Sequence, residues 1–189
     1  GRVWAVVPAL DEEACVGGVV RELRGCGLRV AVADNGSSDG TAAAAASAGA
    51  EVVVREGRRG YGAACQAGLA ALPAGGWDWV LFCGADGQDS PGANVPALVA
   101  VAEATGADCV LGDRTALRSA RGALTAPQRL ASLGIGLALH LLWGRAYNDL
   151  GPLRLVRREA LLEADPRDAA FGYTVELQAR LPGGGGGGA

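Results

Sequence analysis

The sequence predicts an α/β fold in which helices cover both faces of a mostly parallel sheet. Strand and helix patterns alternate from Val3 to Leu111, the order that builds parallel sheets from β-α-β units. The strand segments are continuous apolar runs rather than alternating ones, as strands buried on both faces require. Turn residues and acids follow these runs, and in such sheets ligands bind beyond the carboxyl ends of the strands.

Each element has its own signal. Val3–Val7 is a Val-rich run, with Pro8 as its expected end. Glu12–Leu23 reads as a helix, because Val16, Val19, Val20 and Leu23 recur at helical spacing on one face. Leu28–Ala33 is the second strand. Ser37-Ser38-Asp39-Gly40 supplies helix caps before the Ala-rich stretch Thr41–Ala50. Glu51–Val54 is a third strand, Gly62–Leu72 a helix closed by Pro73, and Trp77–Cys83 a fourth strand. Pro91–Ala104 is a helix and Ala107–Leu111 a fifth strand. Further on, Thr125–Trp143 is helical, Leu150–Val156 reads as a strand, and Tyr173–Leu181 as a helix. The stretch Leu130–Trp143 is apolar nearly all round. At about 14 residues it is too short to span a bilayer, so it is a buried helix or one lying at a membrane surface, and its length favours burial. Residues 1–181 form one domain, and the Gly-rich run in 182–189 is low-complexity sequence.

Composition narrows the function classes. The net charge of −3 lacks the basic excess expected for nucleic-acid binding. The five cysteines lie far apart without a CxxC pair, which argues against a thiolate metal site or a disulfide framework and for free thiols in a reducing cytoplasm. The only histidine, His140, sits in the apolar stretch, so a Ser/His/Asp centre is disfavoured. All 17 basic side chains are arginine.

The rim segments carry the candidate chemistry. Pro8-Ala9-Leu10-Asp11-Glu12-Glu13 stands where a dinucleotide-binding domain would place GxGxxG. Three acids there would repel a pyrophosphate, so a nicotinamide dehydrogenase is disfavoured; Asp11 and Glu13 also suit a helix start. Asp34 at the second strand's end can accept the hydroxyls of a ribose or an N–H of a base, and Asn35-Gly36 with Ser38 suits a capped turn. Gly57-Arg58-Arg59-Gly60-Tyr61-Gly62 reads either as an anion site at a helix N-terminus or as a plain loop. Gly84-Ala85-Asp86-Gly87-Gln88-Asp89 ends the fourth strand. Asp86 with its carboxylate and Gln88 with its carbonyl suit Mg²⁺ or Mn²⁺, which prefer oxygen ligands and bridge to substrate phosphates. Arg114, Arg118, Arg121 and Arg129 gather beyond the fifth strand and suit a phosphorylated substrate.

Together these motifs resemble the family 2 glycosyltransferases, and within them the polyprenyl-phosphate (dolichyl-phosphate-like) sugar transferases. Val6-Val7-Pro8-Ala9-Leu10-Asp11-Glu12-Glu13 is similar to that group's V-I-P-A-x-N-E-E. Asp34-Asn35-Gly36-Ser37-Ser38-Asp39-Gly40-Thr41 is similar to D-(D/N)-G-S-x-D-G-T, and Arg59-Gly60-Tyr61-Gly62-Ala63-Ala64 to R-G-Y-G-A-A. Asn148-Asp149-Leu150-Gly151-Pro152-Leu153-Arg154 and Tyr173-Thr174-Val175-Glu176-Leu177-Gln178 resemble T-D-L-G-P-F-R and W-T-V-E-M-Q. The resemblance implies a GT-A fold, the Rossmann-like sandwich of nucleotide-diphospho-sugar transferases. It implies an inverting transfer from a UDP- or GDP-sugar to an acceptor, a lipid phosphate by this sub-type, at the cytoplasmic face with peripheral membrane contact. It places Pro8, Ala9, Leu10, Glu12, Asp34, Gly60 and Asp86 at the donor nucleotide, Asp86 and Gln88 at Mg²⁺ or Mn²⁺, and Arg114, Arg129 and Arg154 at phosphates.

Two departures from the family pattern bear on activity. Gly84 stands where the family usually has the first Asp of D-A-D-G-Q, so metal affinity is expected to fall. Past Gln178 the family continues with a strand and a basic loop, where this sequence runs into glycines. A phosphate acceptor is already anionic and needs no strong general base; a hydroxyl acceptor would need one, with Asp149 the candidate. The alternative reading, motivated by the same departures, is a non-catalytic or degenerate nucleotide-sugar-binding domain. A nucleotidyltransferase is weaker still, because its Gly-rich triphosphate loop is missing.

Overall fold

The computed structural model describes residues 2–112, 153–170 and 172–181. Arg114, Arg118, Arg121, Arg129, His140, Asp149 and the apolar stretch Leu130–Trp143 lie outside the described residues, as does the glycine run. The elements are β1 (Val3–Ala9), α1 (Glu13–Gly25), β2 (Arg29–Asp34), α2 (Thr41–Ser47), β3 (Val52–Arg55), α3 (Tyr61–Ala70), β4 (Trp79–Phe82) and α4 (Pro91–Thr105). They continue with β5 (Cys109–Leu111), β6 (Arg154–Arg157), α5 (Arg158–Ala164) and α6 (Gly172–Arg180).

The described strands form one sheet in the order β3-β2-β1-β4-β6-β5. Strands β3, β2, β1 and β4 pair in parallel, as expected. The departure is β6, which inserts antiparallel between β4 and β5. Its start therefore lies at the same rim as the ends of β4 and β5, with Arg154 in register with Phe82 and Leu111. The short helix α5 was not foreseen either.

Side chains alternate between the two faces of the sheet. Ala5, Val7 and Ala9 of β1 join a core with Val16, Val19, Val20 and Leu23 of α1 and Val95, Leu98 and Ala102 of α4. Trp4 and Val6 join a second core with Cys65 of α3, Ala160 and Leu161 of α5, and Tyr173 and Leu177 of α6. Each fully buried aliphatic side chain contributes about 1.5–3 kcal/mol, and the sheet is covered on both sides.

Pro8 does not end β1, contrary to expectation. The strand runs to Ala9, and Pro8 keeps register with Ala33 of β2. In a parallel ladder, alternate residues bond to opposite neighbours. Val6 bonds towards β4, where its carbonyl accepts the Cys83 N–H at 3.2 Å; Pro8 therefore faces the same side. The β1–β4 ladder stops at Val6 and Phe82, so the missing proline N–H deprives no strand of a partner.

Candidate functional site

The carboxyl ends of β1, β2 and β4 bring Glu12, Asp34 and Asp86 to one rim. The turns after β1 and β2 are joined by hydrogen bonds between residues 26 to 29 apart in the chain. Ser37 Oγ accepts the Asp11 N–H at 3.0 Å, and Thr41 Oγ1 accepts the Glu12 N–H at 2.8 Å. Asp11 Oδ1 in return accepts the Ser38 N–H at 2.7 Å, and Glu13 Oε2 accepts the Gly40 N–H at 3.0 Å. Asp39 accepts the N–H groups of Glu13 and Thr41 and the Thr41 hydroxyl. Asp11, Glu13 and Asp39 thus tie the β1–α1 turn to the β2–α2 turn, beyond their expected part at the helix starts.

Glu12, between Asp11 and Glu13, is half-buried. Burial, then the nearby charges of Asp86 and Asp39, raises its carboxyl above the ordinary glutamate value. Two like charges held near each other at a strand-end rim favour a cation or a hydrogen-bond donor between them. Asp34, 3% exposed, accepts the Ser37 N–H at 2.9 Å. That is the capped turn that Asn35-Gly36 suggested, with Gly36 at φ +80°. Of the other residues expected at the donor, Ala9 is buried, Pro8 half-buried and Leu10 exposed.

The loop ahead of α3 is tied to two distant segments. Asn35 Oδ1 accepts the Gly60 N–H at 2.9 Å, and the Ala170 and Ala169 carbonyls accept the N–H groups of Gly62 and Ala63 at 3.2 and 2.9 Å. The Gly60, Gly62 and Ala63 N–H groups thus have acceptors within the protein, which gives the segment a structural part as a joint. Its glycines serve a close approach: a Cβ on Gly60 would lie 3.1 Å from the Ala169 carbonyl carbon and closer still to its oxygen.

The turn after β4 is closed from within. Asp89, 3% exposed, accepts the Gly84 N–H through Oδ2 at 2.9 Å, and its own carbonyl accepts from Asn94 Nδ2 at 2.7 Å. Asp86 Oδ1 accepts the Gln88 N–H at 3.0 Å. Asp86 is half-buried and Gln88 exposed. Among the described residues no group of three or more His, Cys, Asp or Glu side chains could hold a metal ion. Sequence reasoning assigned no part to Asp89; its position just before Ser90 and Pro91, at a helix start, was the available signal.

Arg154 reaches the rim by backbone register, but its side chain is 1% exposed. It lies beside Tyr61, Cys65 and Tyr173, and its charge opposes the rise that burial imposes on their ionisations. Cys65 is pushed up to about 12 by burial, so at neutral pH it is a protonated core thiol. None of the five cysteines, all among the described residues, is in a disulfide.

The model of glycosyl transferase family 2 matches residues 4–164, a span that holds this whole rim. The chain belongs to glycosyl transferase family 2. Uncharacterised glycosyltransferases of Mycobacterium tuberculosis and Mycobacterium bovis are 36% identical to it over 178 residues, which is 94% of this chain and 78% of theirs. The crystal structure of a mycobacterial protein superposes with a TM-score of 0.63 at 25% identity. That of the M. tuberculosis glucosyl-3-phosphoglycerate synthase superposes at 0.64 with 23% identity, a likeness of fold. This glycosyltransferase chain is covered to 94% in both, and spans 59% and 65% of those solved chains. The GT-A fold expected from the motifs is the fold found. No helix among the described residues is long and apolar enough to cross a membrane.

Proposed function

We propose that this domain transfers a sugar from a nucleoside diphosphate sugar, UDP- or GDP-linked, to a phosphate-bearing acceptor with inversion at the sugar carbon. The observation that carries this reading is the convergence of Glu12, Asp34 and Asp86 on one rim within the family-matched span. Asp34 and the β1 end (Pro8, Ala9, Leu10) would seat the nucleoside, leaving the diphosphate beside Asp86. An acceptor phosphate oxygen attacks the sugar's anomeric carbon. The bond from that carbon to the diphosphate breaks, and its electron pair leaves with the nucleoside diphosphate. One in-line displacement inverts the centre, and an anionic acceptor needs no proton removed.

Asp86 and Gln88 would hold Mg²⁺ or Mn²⁺. Gly84 offers no side chain and Asp89 is turned inward, so the turn provides one carboxylate and fits an ion that arrives with the diphosphate. Mg²⁺ is commonly held so, through one or two carboxylates plus phosphates and water. When bound, the ion would stabilise charge developing on the leaving diphosphate. Arg114 and Arg129, outside the described residues, are proposed for the phosphates. Asp149, also outside them, is proposed as base for a hydroxyl acceptor only.

The sub-type motifs support a lipid phosphate as acceptor and contact with the cytoplasmic membrane face. The glucosyl-3-phosphoglycerate synthase of like fold bears the name of a non-lipid phosphorylated product, so both acceptor kinds enter the test. Purified protein is incubated with UDP- and GDP-sugars, with and without Mn²⁺, and with polyprenyl phosphate or 3-phosphoglycerate. Metal-dependent transfer to either phosphate acceptor is expected. Nucleotide binding without turnover on any donor would instead establish the non-catalytic domain.

A further inference from the structure

Two motifs far apart in sequence meet at the start of α3. Glu176 of α6 accepts the N–H groups of Arg167 and Asp168 on Oε2, at 2.8 and 2.7 Å. Its other oxygen pairs with Arg180 at 2.7 Å. Asp168 Oδ1 accepts the Ala170 N–H at 2.7 Å. These bonds shape the turn between α5 and α6 so that the Ala169 and Ala170 carbonyls point at α3, where they accept from Ala63 and Gly62. Gly60 and Gly62 lack the Cβ that would strike this turn. On the other side of the joint, Asn35 accepts from the Gly60 N–H and donates to the Arg58 carbonyl at 2.7 Å. Asn35 is the residue after Asp34, and its own N–H bonds to the Ala9 carbonyl at 2.8 Å. An unbroken set of hydrogen bonds thus runs from α6 to the carboxyl ends of β1 and β2.

We propose that Glu176 is a positioning residue for the donor nucleotide, acting through the Asp165–Ala170 turn, the start of α3 and Asn35. Glu176 touches no substrate in this scheme. It fixes the turn whose carbonyls hold α3, and α3 fixes the Arg58–Gly60 loop against Asn35 beside Asp34. The proposal rests on the donor reading above.

The test compares the wild type with Glu176→Ala, Glu176→Gln and Asp168→Ala. Asp168 is exposed, and its removal loosens the same turn while Glu176 stays in place. UDP and GDP affinities are read by calorimetry, steady-state kinetics by donor titration, and amide exchange at Gly62 and Ala63 by mass spectrometry or NMR. Losing a charged acceptor of two N–H groups is expected to weaken nucleotide binding and raise donor KM about tenfold, with kcat little changed and faster exchange at both amides. Glu176→Gln keeps an acceptor oxygen and is expected to recover most of the affinity; Asp168→Ala is expected to shift KM the same way by less. A fall in kcat at unchanged KM, the mark of a smaller folded fraction, overturns the proposal. So does unchanged affinity in Glu176→Ala while the wild type binds nucleotide. A wild type that binds neither UDP nor GDP sinks the donor reading and this proposal with it.

Discussion

Replacing Gly62 by alanine sets helix propensity against tertiary packing. Within α3 the exchange should favour the helix by about 0.5–1 kcal/mol, since glycine loses more backbone entropy on folding. The added Cβ would stand 2.8 Å from Tyr173 Cβ and 2.9 Å from the Ala169 carbonyl carbon, and nearer still to the Asp168 carbonyl oxygen. Carbon atoms prefer about 3.5–4.0 Å, so the turn must retreat. Overpacking of this kind costs about 1–3 kcal/mol. Retreat also strains the Gly62 and Ala63 bonds to Ala170 and Ala169, each worth about 0.5–1.5 kcal/mol. The net expectation is a loss of about 2–4 kcal/mol, or a Tm lower by about 5–15 °C for a domain of this size. Gly18 is the control: it too lies inside a helix, α1, but a Cβ there meets nothing within 4 Å. Gly18→Ala should therefore raise stability by about 0.5–1 kcal/mol. Urea and thermal unfolding of both variants measure the pair. Equal stability of Gly62→Ala and wild type, or the same loss in both variants, would refute the role given to the α5–α6 turn.

Further outcomes follow from the rim. Asp86→Ala should remove the Mg²⁺- or Mn²⁺-dependent part of donor affinity; an unchanged dissociation constant in calorimetry would sink the metal assignment. Gly84→Asp, which restores the family's first acid, should tighten Mn²⁺ in the presence of nucleotide, read from the metal dependence of the melting temperature. Asp89→Ala leaves the Gly84 N–H without its acceptor and should cost about 1–3 kcal/mol in urea unfolding. Glu176 gives a pH dependence: the Asp168 N–H first, then the Arg167 N–H and the charges of Arg180 and Arg167, hold its carboxyl below the ordinary value of 4.5. A depressed folded-state value means the unfolded chain takes up the proton first, so the stabilisation is present above 4.5 and is lost as pH falls through the lower folded value. The stability gap between wild type and Glu176→Gln should shrink across that acid window, and a gap constant with pH would count against the ion's part in the turn.

The sequence by itself determined the order of elements, because each strand and helix carries its own pattern of burial. Val16, Val19, Val20 and Leu23 marked α1 by spacing alone, and Glu12, Asp34 and Asp86 were placed on one rim because parallel strands end on one side. The family, too, was legible from motif order. What the tertiary structure decided is what hydrogen-bonds to what across long stretches of chain. The Gly60-Tyr61-Gly62 segment carries the same local signal whether its amides await an anion or a carbonyl; only the fold of the α5–α6 turn brings Ala169 and Ala170 to them. Asp89 reads like Asp86 in the sequence, yet Asp89 is buried and closes the turn from inside while Asp86 stays half-buried with its charge near Glu12. The insertion of β6 between β4 and β5 is equally invisible to local pattern, since an apolar run buried on both faces looks the same whichever way it points. Burial is a property of each residue's own periodicity, whereas partnership belongs to the pairing of distant segments.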